Sequence, residues 1–343
     1  MSNSKILFLT KYDSLGASSR YRTLQYIPYL PTNIEYKILP LFDDNYLKQL
    51  YKTNTKPLFK AAEGYLKRFF NLKNLNQYTS IILENELWPY LPFALEKNFL
   101  ANKQKLVLIY DDAIFHNYNN HKIGKLMQFA DTVIVGNQYL ANYTSNWNSN
   151  FIIIPTVISA EKYKQNKIYT QKNPLEKLKI IWVGSPATAN YLYELNALWQ
   201  NNWVQDNIHL FILGAINLNL GNIQTTYIPW NEGTEAEEIQ KCDLGIMPLP
   251  DNNWTKGKCG FKIIQYMASG LPSIASAIGA NCEIIQNDKT GFLANTTEDW
   301  LKYLKLFKQN PELLEIMGLN ARKEAFEKYT VQATYQTWLK AIL

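Results

Sequence analysis

The sequence has no apolar run of the ~18–20 residues that a membrane-spanning helix needs. Residues 1–10 also lack the long apolar stretch and the small-residue cleavage site of a signal peptide, so we expect a protein without a leader. Only three cysteines and three histidines occur in 343 residues. The cysteines are odd in number and lack the paired spacing of a metal site. A disulfide scaffold is therefore excluded, and a cytoplasmic location is expected.

Apolar residues are abundant by contrast. They make up 47% of the chain, and 14% of the residues are aromatic, including 23 tyrosines. This content excludes a disordered chain. A length of 343 residues is too great for one ordinary core and suits two domains of ~150–170 residues each.

The net charge of +6 lies entirely in the first part of the chain. Residues 1–160 contain 17 Lys and Arg against 11 Asp and Glu, whereas residues 161–343 contain 18 of each. We therefore expect an anionic partner for the first part alone.

The basic excess is densest in residues 46–73, which hold seven Lys and Arg and a single Glu. Phe69 and Phe70 follow Lys67 and Arg68 there. Two interpretations remain open: the segment lies on an anionic membrane surface, or it is a solvated helix whose apolar side packs on the sheet. Aromatic residues between cations also occur in nucleic-acid binders. No nucleic-acid motif accompanies them, so no nucleic-acid partner is expected.

Short apolar runs alternate with longer amphipathic stretches along the whole chain. The predicted strands cover 5–10, 34–40, 80–85, 105–110, 132–136, 151–155, 179–184, 209–214, 225–230, 244–249, 272–276 and 291–294. The predicted helices include 20–30, 57–72, 89–102, 121–130 and 137–146, and residues 298–343 are mostly helical. This alternation predicts an α/β fold with parallel sheets and helices on both faces.

The pattern starts again after the polar, Lys- and Asn-rich stretch 161–177, which we interpret as a linker. Residues 1–160 and 161–328 therefore predict two doubly wound, Rossmann-like domains that face each other across a cleft. Ligands bind such sheets beyond the carboxyl ends of the strands.

A glycine-rich turn opens the helix predicted from Phe261 to Ser269. Gly257 and Gly260 allow close backbone approach, and the first amides of a helix have no helical acceptor. Lys258 and Lys262 flank this turn, so it can bind a phosphate. Gln265 shares a helix face with Lys262, from which its amide can reach ribose hydroxyls. The alternative is an ordinary loop-to-helix connection with solvated lysines.

The surrounding segment 243–283 resembles the donor-site signature of GT-B-fold retaining glycosyltransferases, specifically family four (glycosyl transferases group 1) of bacterial type. The family pattern is Glu, seven residues, then Glu-Ala-Met-Ala-x-Gly-x-Pro, and residues 265–272, QYMASGLP, match its second half. The sequence departs from the pattern at both glutamates, which fall on Gly257 and Gln265. The sugar contact of the first glutamate is then absent or supplied elsewhere, with Asp251 as the candidate.

The resemblance implies retaining, metal-independent transfer of a sugar from a UDP- or GDP-linked donor, with no cofactor. The acceptor implied is a glycan or lipid-linked glycan of the bacterial cell envelope, held by the first domain. Lys258, Lys262 and the backbone amides around Phe261 would stabilise the departing diphosphate. The last helix, 329–343, would pack back on the first domain. Two alternatives remain open: an inactive subunit that binds a nucleotide or a partner, and a nucleotide-sugar 2-epimerase.

Two loops that follow strands supply further donor-site candidates. Gly184, Ser185 and Thr188 resemble the loop that approaches the donor diphosphate, although both hydroxyls equally suit helix capping. Gly16 and Arg20 belong to a loop that resembles the one bordering the donor phosphates, and Arg22 next to it is a second cation for an anion.

The segment 110–118 places Asp111, Asp112 and His116 after another predicted strand. Related enzymes often keep a His or Asp close to the acceptor, so Asp112 and His116 are catalytic candidates, with a structural role as the alternative. Adjacent aspartates also bind metal in the other major transferase fold. Two doubly wound halves do not fit that fold, and the histidines lack further ligands at metal spacing, so no metal site is expected.

Overall fold

The computed structural model describes residues 4–53, 55–101, 104–170, 173 and 175–343. Its contacts divide the chain into two units. The first consists of Met1–Thr156, Gly257–Cys259 and Thr334–Leu343, and the second of Val157–Lys256 and Gly260–Ala333. The first boundary between the units thus follows residue 156, whereas the boundary predicted from the sequence follows residue 160. No helix in the described ranges is long and apolar enough to cross a membrane.

The first unit contains a six-stranded sheet. Its strands are β1 (Lys5–Leu9), β2 (Glu35–Ile38), β3 (Ser80–Glu84), β4 (Lys105–Tyr110), β5 (Thr132–Val135) and β6 (Phe151–Ile153). They lie in the order β2-β1-β3-β4-β5-β6, and every pairing is parallel. The side chains of β3 are buried throughout, and those of β1 and β4 are buried after the first residue. Helices cover both faces of a parallel sheet, and this is why these strands are continuously apolar.

Among the described residues, six α-helices connect these strands: α1 (Ala17–Arg22), α2 (Asp44–Thr53), α3 (Leu58–Asn71), α4 (Phe93–Leu100), α5 (Lys122–Phe129) and α6 (Gln138–Thr144). Two predicted boundaries were wrong for reasons of proline chemistry. The predicted helix 20–30 is α1 followed by a 3-10 helix, Leu24–Tyr29, that contains Pro28. The predicted helix 89–102 begins only after Pro92, because the residue before a proline is disfavoured in helical conformation.

The second unit repeats the arrangement with β7 (Leu178–Val183), β8 (Ile208–Leu213), β9 (Gln224–Ile228), β10 (Leu244–Met247), β11 (Ser273–Ser276) and β12 (Gly291–Ala294). The strand order is β12-β11-β10-β7-β8-β9, again with parallel pairing throughout. All twelve predicted strands are therefore present. The α/β fold with two parallel, doubly wound sheets is confirmed.

Ten helices follow β7 in the chain. They are α7 (Pro186–Ala189), α8 (Asn196–Trp199), α9 (Asn202–Asn207), α10 (Glu235–Gln240), α11 (Asn253–Lys256), α12 (Phe261–Ala268), α13 (Ala280–Ile284), α14 (Thr297–Gln309), α15 (Glu312–Lys328) and α16 (Val331–Ile342). In α16, Trp338 stacks on Phe8 and Tyr26 of the first unit, with ring centroids 6.1 and 4.6 Å apart. This stack lies within the segment 329–343, which we expected to pack on the first domain.

The stretch 161–177, predicted to be a linker, is anchored to the second unit along its described part. The Lys167 ammonium donates to the carbonyl oxygens of Gln240 and Cys242, at 2.5 and 2.6 Å. The Tyr169 hydroxyl donates to the Gly270 carbonyl at 2.5 Å. These contacts make the described residues of the stretch part of the second unit, not a free connection.

Candidate active site

The second unit places a glycine-initiated helix next to the strands of its sheet. Gly260 has a φ of 63° and precedes α12, where a Cβ would lie 2.3 Å from the Ile284 side chain. Glycine alone satisfies both the left-handed backbone and the close approach. The start of a helix can in general bind an anion, because the first amides of a helix point outward along its axis. In α12 the Ile263 amide donates to the Gly260 carbonyl at 3.0 Å. The helix ends at Ala268, and Gly270, whose φ is 78°, follows just past its end as predicted.

Lys262, in the first turn of α12, lies beside the end of β7. Its ammonium is 5.3 Å from the centroid of the Trp182 ring. A Cβ on Gly184 would lie 2.4 Å from Trp182 and 3.0 Å from Cε of Lys262, so only glycine fits between them. The structure thus brings together Gly184, Gly260 and Lys262, three of the predicted donor-site residues.

The two hydroxyl candidates follow Gly184. Ser185 is the N-cap residue of α7, yet its hydroxyl makes no capping hydrogen bond. The Thr188 hydroxyl donates to the Ser185 carbonyl at 3.2 Å, a bond within one turn. Side-chain capping, the alternative we left open, is therefore not the role of the Ser185 hydroxyl in this structure.

Gln265 is placed differently from the prediction. Its side chain is 2% exposed, and its amide nitrogen donates to the Tyr163 hydroxyl at 3.2 Å inside the second unit. The amide is therefore not open to a ribose in this conformation, which corrects the role predicted for it. Phe261 packs against the hydrophobic cluster of the same region.

Asp251, predicted to replace the missing glutamate, lies in an exposed loop. Its carboxylate forms an ion pair with the Lys256 ammonium at 3.0 Å. The structure therefore pairs this carboxylate with Lys256, the last residue of the neighbouring helix α11.

Gly257 explains why a glutamate is absent at its position. A Cβ there would lie 2.4 Å from the Cβ of Ala113 and 2.9 Å from its backbone nitrogen. The carbonyl groups of Gly257 and Lys258 both accept hydrogen bonds from the Asn137 amide, at 3.1 and 3.0 Å. Gly257–Cys259 thus belong to the first unit, and any side chain at residue 257 would collide there with the backbone of Ala113.

Lys258 and Asp112, predicted in separate roles, form an ion pair. The distance between the ammonium and the carboxylate is 2.9 Å, and both side chains are half-buried. Burial raises the pKa of Asp112 above its ordinary value, Asp111 adds to this, and the Lys258 ammonium opposes it. Lys258 is therefore engaged by a carboxylate in this structure and is not poised as a free phosphate ligand.

His116 lies in a short 3-10 helix, Ile114–Asn117, after β4. Its Nε2 shares a hydrogen bond of 2.9 Å with the Tyr139 hydroxyl. Partial burial lowers the pKa of the ring below its ordinary value, which favours the neutral imidazole at pH 7. The structure thus pairs His116 with a tyrosine, and Asp112 with a lysine.

The loop after β1 holds the two remaining candidates. A Cβ on Gly16 would lie 2.2 Å from the Cβ of Tyr12, so glycine is required for the close approach of the chain. The Arg20 guanidinium donates to the Ser14 carbonyl at 3.2 Å and lies over the Tyr21 ring. Arg22 was wrongly predicted to meet an anion, because it is 5% exposed and donates to carbonyl groups of the core.

Comparison with known proteins gives these residues a common context. Residues 166–324 match the family model "Glycosyl transferases group 1". This chain carries a glycosyl transferases group 1 domain. The sulfoquinovosyl transferase SQD2 of Arabidopsis thaliana is 35% identical over 96 residues, which cover 26% of this chain and 18% of that protein. The chain therefore matches only a small part of that relative.

Solved structures agree with the group 1 assignment at the level of the fold. A glycosyltransferase from Rickettsia africae has a TM-score of 0.69 at 14% identity, with 99% of this chain and 98% of that chain covered. HepE of Anabaena in complex with UDP-glucose has a TM-score of 0.67 at 15% identity, with 98% of each chain covered. Sucrose-phosphate synthase from Thermosynechococcus elongatus has a TM-score of 0.66 at 12% identity, with 98% of each chain covered. The fold they share with this chain is GT-B.

The group 1 domain contains the predicted donor-site residues from Gly184 to Gln265, whereas Gly16, Arg20, Asp112 and His116 precede it. No group of three or more His, Cys, Asp or Glu side chains in the described part of the chain is arranged to hold a metal ion.

Sequence reasoning missed a buried carboxylate outside the group 1 domain, that of Glu84. Glu84, at the end of β3, accepts hydrogen bonds from the backbone amide of Lys11 at 2.9 Å and from the hydroxyls of Ser19 and Thr23. Burial raises the pKa of Glu84, and these hydrogen bonds oppose the rise. The signal was available, because Glu84 ends a predicted strand just as Asp111 and Asp112 follow the next one.

The basic segment 46–73, apart from Asn54, which lies outside the described residues, differs from the interpretation that its apolar side packs on the sheet. The packed side of α3 carries Gly64 and Arg68, both buried. The Arg68 guanidinium donates to the carbonyl oxygens of Thr10 and Leu39 at 2.6 and 2.8 Å, and burial lowers its pKa to about 9. Arg68 is therefore not a surface cation.

The outer side of α3 carries several exposed apolar side chains. Four of its side chains are more than half exposed: Leu58 at 76%, Phe59 at 96%, Leu66 at 59% and Phe70 at 58%. The expectation that the apolar side packs on the sheet is thus wrong for this helix.

Proposed function

We propose that this protein is a glycosyltransferase that moves a sugar from a nucleotide-sugar donor to an acceptor. The observation that carries the proposal is the position of Lys262 in the group 1 domain. It places an ammonium group beside Gly184 at the glycine-initiated start of α12. A helix N-terminus with an adjacent cation suits the diphosphate of such a donor.

In this proposal, negative charge grows on the departing nucleoside diphosphate, and Lys262 with the first amides of α12 stabilises it. The Ser185 and Thr188 hydroxyls are further candidate donors to the phosphates. UDP- and GDP-linked sugars are the donors to test first, since HepE of Anabaena was solved with UDP-glucose. Retention of configuration, and activity without a metal or cofactor, are part of the same proposal.

Three further residues remain catalytic candidates, but each must first give up a contact that it makes in this structure. They are Lys258, Asp112 and His116. For Lys258 to bind a donor phosphate, its ion pair with Asp112 must open. A freed Asp112 carboxylate, whose pKa burial raises, could then accept the proton of an acceptor hydroxyl. His116 could do so only by exchanging its hydrogen bond with Tyr139.

A panel of UDP-, GDP- and dTDP-sugars will identify one donor that raises the melting temperature of the protein and is slowly hydrolysed by it. A ligand that binds the folded state stabilises it by mass action. EDTA should leave the hydrolysis unchanged, and NMR should find the anomeric configuration retained.

Three other results of the same panel would count against the proposal. Binding without hydrolysis or transfer to any acceptor would favour the inactive subunit, for which the glycine at residue 257 is the best argument. Formation of the 2-epimer of the sugar would favour the epimerase. If no nucleotide sugar or nucleoside diphosphate binds, the donor site at 257–265 is wrong.

The acceptor in this proposal is a glycan or lipid-linked glycan of the bacterial cell envelope, reached at an anionic membrane surface. The support is the outer side of α3, where Phe59 and Phe70 are exposed among lysines. Lys60, Lys67 and Lys73 are close to them in the chain, and the Lys73 ammonium lies 4.8 Å from the centroid of the Phe70 ring. Exposed aromatic rings with flanking lysines suit an interface of anionic lipid headgroups and acyl chains.

The double variant Phe59→Ser, Phe70→Ser should sediment with vesicles of one-third phosphatidylglycerol in phosphatidylcholine about tenfold less than the wild type, because two large apolar groups no longer enter the lipid. The matched control is Ile316→Ser with Leu319→Ser, which removes two apolar side chains of α15 that are 53% and 52% exposed. Equal sedimentation of wild type and double variant, or no preference for the anionic vesicles, would count against membrane docking and leave a protein partner for α3.

A further inference from the structure

A small cavity of about 60 Å³ lies in the first unit, where three neighbouring strands of its sheet end. Lys11 follows β1, Asn85 and Glu86 follow β3, and Tyr118 follows β4, and all four line the cavity. None of them is among the predicted site residues. Water occupies about 30 Å³ in the liquid, so the cavity has room for a hydroxymethyl group but not for a whole sugar ring.

The backbone around the cavity is strained at two positions. Asn85 has a φ of 61° and Tyr90 a φ of 68°. Asparagine tolerates this region, but a bulky residue such as tyrosine rarely adopts it. The Tyr90 amide donates to the Tyr118 hydroxyl at 3.1 Å, while the Tyr90 ring is 69% exposed at the rim of the cavity. Strain of this kind persists where the surroundings enforce it, and it clusters at ligand sites.

Asn85, one of the residues that line the cavity, has a buried side-chain acceptor without a hydrogen bond from the described part of the chain. The residue is 4% exposed, and its Oδ1 accepts no hydrogen bond from the described residues. Buried polar atoms in folded proteins nearly always have a partner. The amide therefore points to a ligand with a donor group of its own.

The other polar groups that line the cavity are Glu86 and Tyr118, which hydrogen bonds fix in position, and Lys11, which is charged. The Glu86 carboxylate accepts hydrogen bonds from the Tyr118 hydroxyl and the Lys122 ammonium, each at 2.5 Å. Burial lowers the pKa of Lys11, but Tyr12, Asp111, Asp112 and, least of these, Glu86 together outweigh burial and raise it, so Lys11 stays charged. A hydroxyl group can donate a hydrogen bond to an acceptor such as the Asn85 amide oxygen and accept one from the Lys11 ammonium. An anion would instead be repelled by the Glu86 carboxylate.

We infer that this cavity binds the hydroxymethyl group of a neutral sugar that serves as the acceptor. This inference rests on the proposed transfer reaction. The exposed ring of Tyr90 offers an apolar face to the C–H groups of the sugar ring, while the hydroxymethyl group enters the cavity. The cavity precedes the group 1 domain in the chain, and the candidate donor residues Gly184 and Lys262 lie inside that domain, which favours the acceptor as the occupant.

Saturation-transfer NMR on the full-length protein tests this directly, because it reports which ligand protons contact the protein without requiring turnover. The probes are the methyl glycosides of glucose, galactose and mannose and their 6-deoxy counterparts. We expect at least one methyl glycoside to bind with its strongest saturation at the two protons of carbon 6. Its 6-deoxy counterpart should bind about tenfold more weakly, since the buried acceptor is then left unpaired.

The decisive variant is Asn85→Gly, which removes the amide and keeps a residue that accepts positive φ. It should bind the methyl glycoside and its 6-deoxy counterpart equally. Asn217→Gly is the matched control, because Asn217 has a φ of 60° and is exposed in the second unit. Tyr90→Asn should reduce saturation of the ring protons but keep the preference for the 6-hydroxyl.

The inference is overturned if no probe binds, or if Asn85→Gly and Asn217→Gly keep the same preference for the 6-hydroxyl. It is also overturned if the Asn85→Gly change alters saturation of carbon 6 in a bound nucleotide sugar, because the occupant is then the donor. Binding of a methyl glycoside without binding of any nucleotide sugar would preserve the cavity as a sugar site and reject the proposed function separately.

Discussion

Replacing Lys262 with alanine will weaken nucleotide-sugar binding and donor hydrolysis by about 10–100-fold. The ammonium group lies at the start of α12 beside Gly184, where a diphosphate would meet the helix amides. A charge-assisted hydrogen bond contributes about 1.5–3 kcal/mol, which corresponds to that range. Binding is measured by calorimetry with the donor that the panel identifies, and hydrolysis by release of the free sugar.

Lys305→Ala is the matched control for this experiment. The Lys305 ammonium lies 5.4 Å from the centroid of the Trp203 ring, much as Lys262 lies over Trp182, but it belongs to α14. Both variants lose a lysine that covers a tryptophan, so both should lose similar stability. Equal loss of donor binding in the two would show that the effect comes from stability or overall charge, and the assignment of Lys262 would be abandoned.

If only Lys262→Ala loses donor binding, the result would also explain how this chain binds a donor without the two glutamates of the family signature. The glutamate expected at residue 257 cannot fit there, because even a Cβ would collide with the backbone of Ala113. Donor binding in this chain then depends on the features that remain, the glycine-initiated helix and Lys262. The sugar itself must be held by other groups than those of the signature.

The strands could be predicted from the sequence because a parallel sheet buries both faces of each strand. Continuous apolar runs such as 105–110 have few other ways to avoid water, and every predicted run became a strand. The end of α12 was equally predictable, since Gly270 and Pro272 act locally on the backbone.

The environment of charged and polar side chains could not be predicted in the same way. Arg68 belongs by sequence to a surface cluster, but carbonyl oxygens of three distant residues accept its hydrogen bonds in the interior. Gln265 lies one turn beyond Lys262, yet it is buried against Tyr163. Burial of such groups depends on partners distant in sequence, and nothing in the local pattern reports them.

A related failure concerns Asn85 and Glu86. They follow β3 as directly as Asp111 and Asp112 follow β4, so the rule that ligands bind at the carboxyl ends of strands applied to both pairs. Only the tertiary structure shows the left-handed backbone at Asn85 and its unmet acceptor. Chain position could therefore have suggested this pair, but not its chemistry.

The largest effect on stability is expected at Lys122, the centre of a buried charge cluster in the first unit. Its ammonium lies 2.5 Å from the Glu86 carboxylate and 2.7 Å from that of Glu96, and Lys122 and Glu96 are 1% and 0% exposed. Lys122→Met should lower the free energy of unfolding by about 3–5 kcal/mol, because two buried carboxylates lose their cation. Urea unfolding at pH 8 measures the change. Lys125→Met, on the exposed side of the same helix, should change it by less than about 0.5 kcal/mol.

The pH dependence of the loss separates charge from packing. Burial raises the pKa of Glu96 above its ordinary value of 4.5, while Lys122 opposes the rise, so removing Lys122 raises it further. Above pH 4.5 the folded variant then binds more protons than its unfolded state, and its stability falls as the pH rises. The deficit of Lys122→Met should therefore be smaller at pH 5 than at pH 8, and adding Glu96→Gln should recover part of it at pH 8. A deficit of the same size at both pH values would mean that Lys122 acts through packing alone, and that it does not hold the Glu96 carboxylate in the charged form.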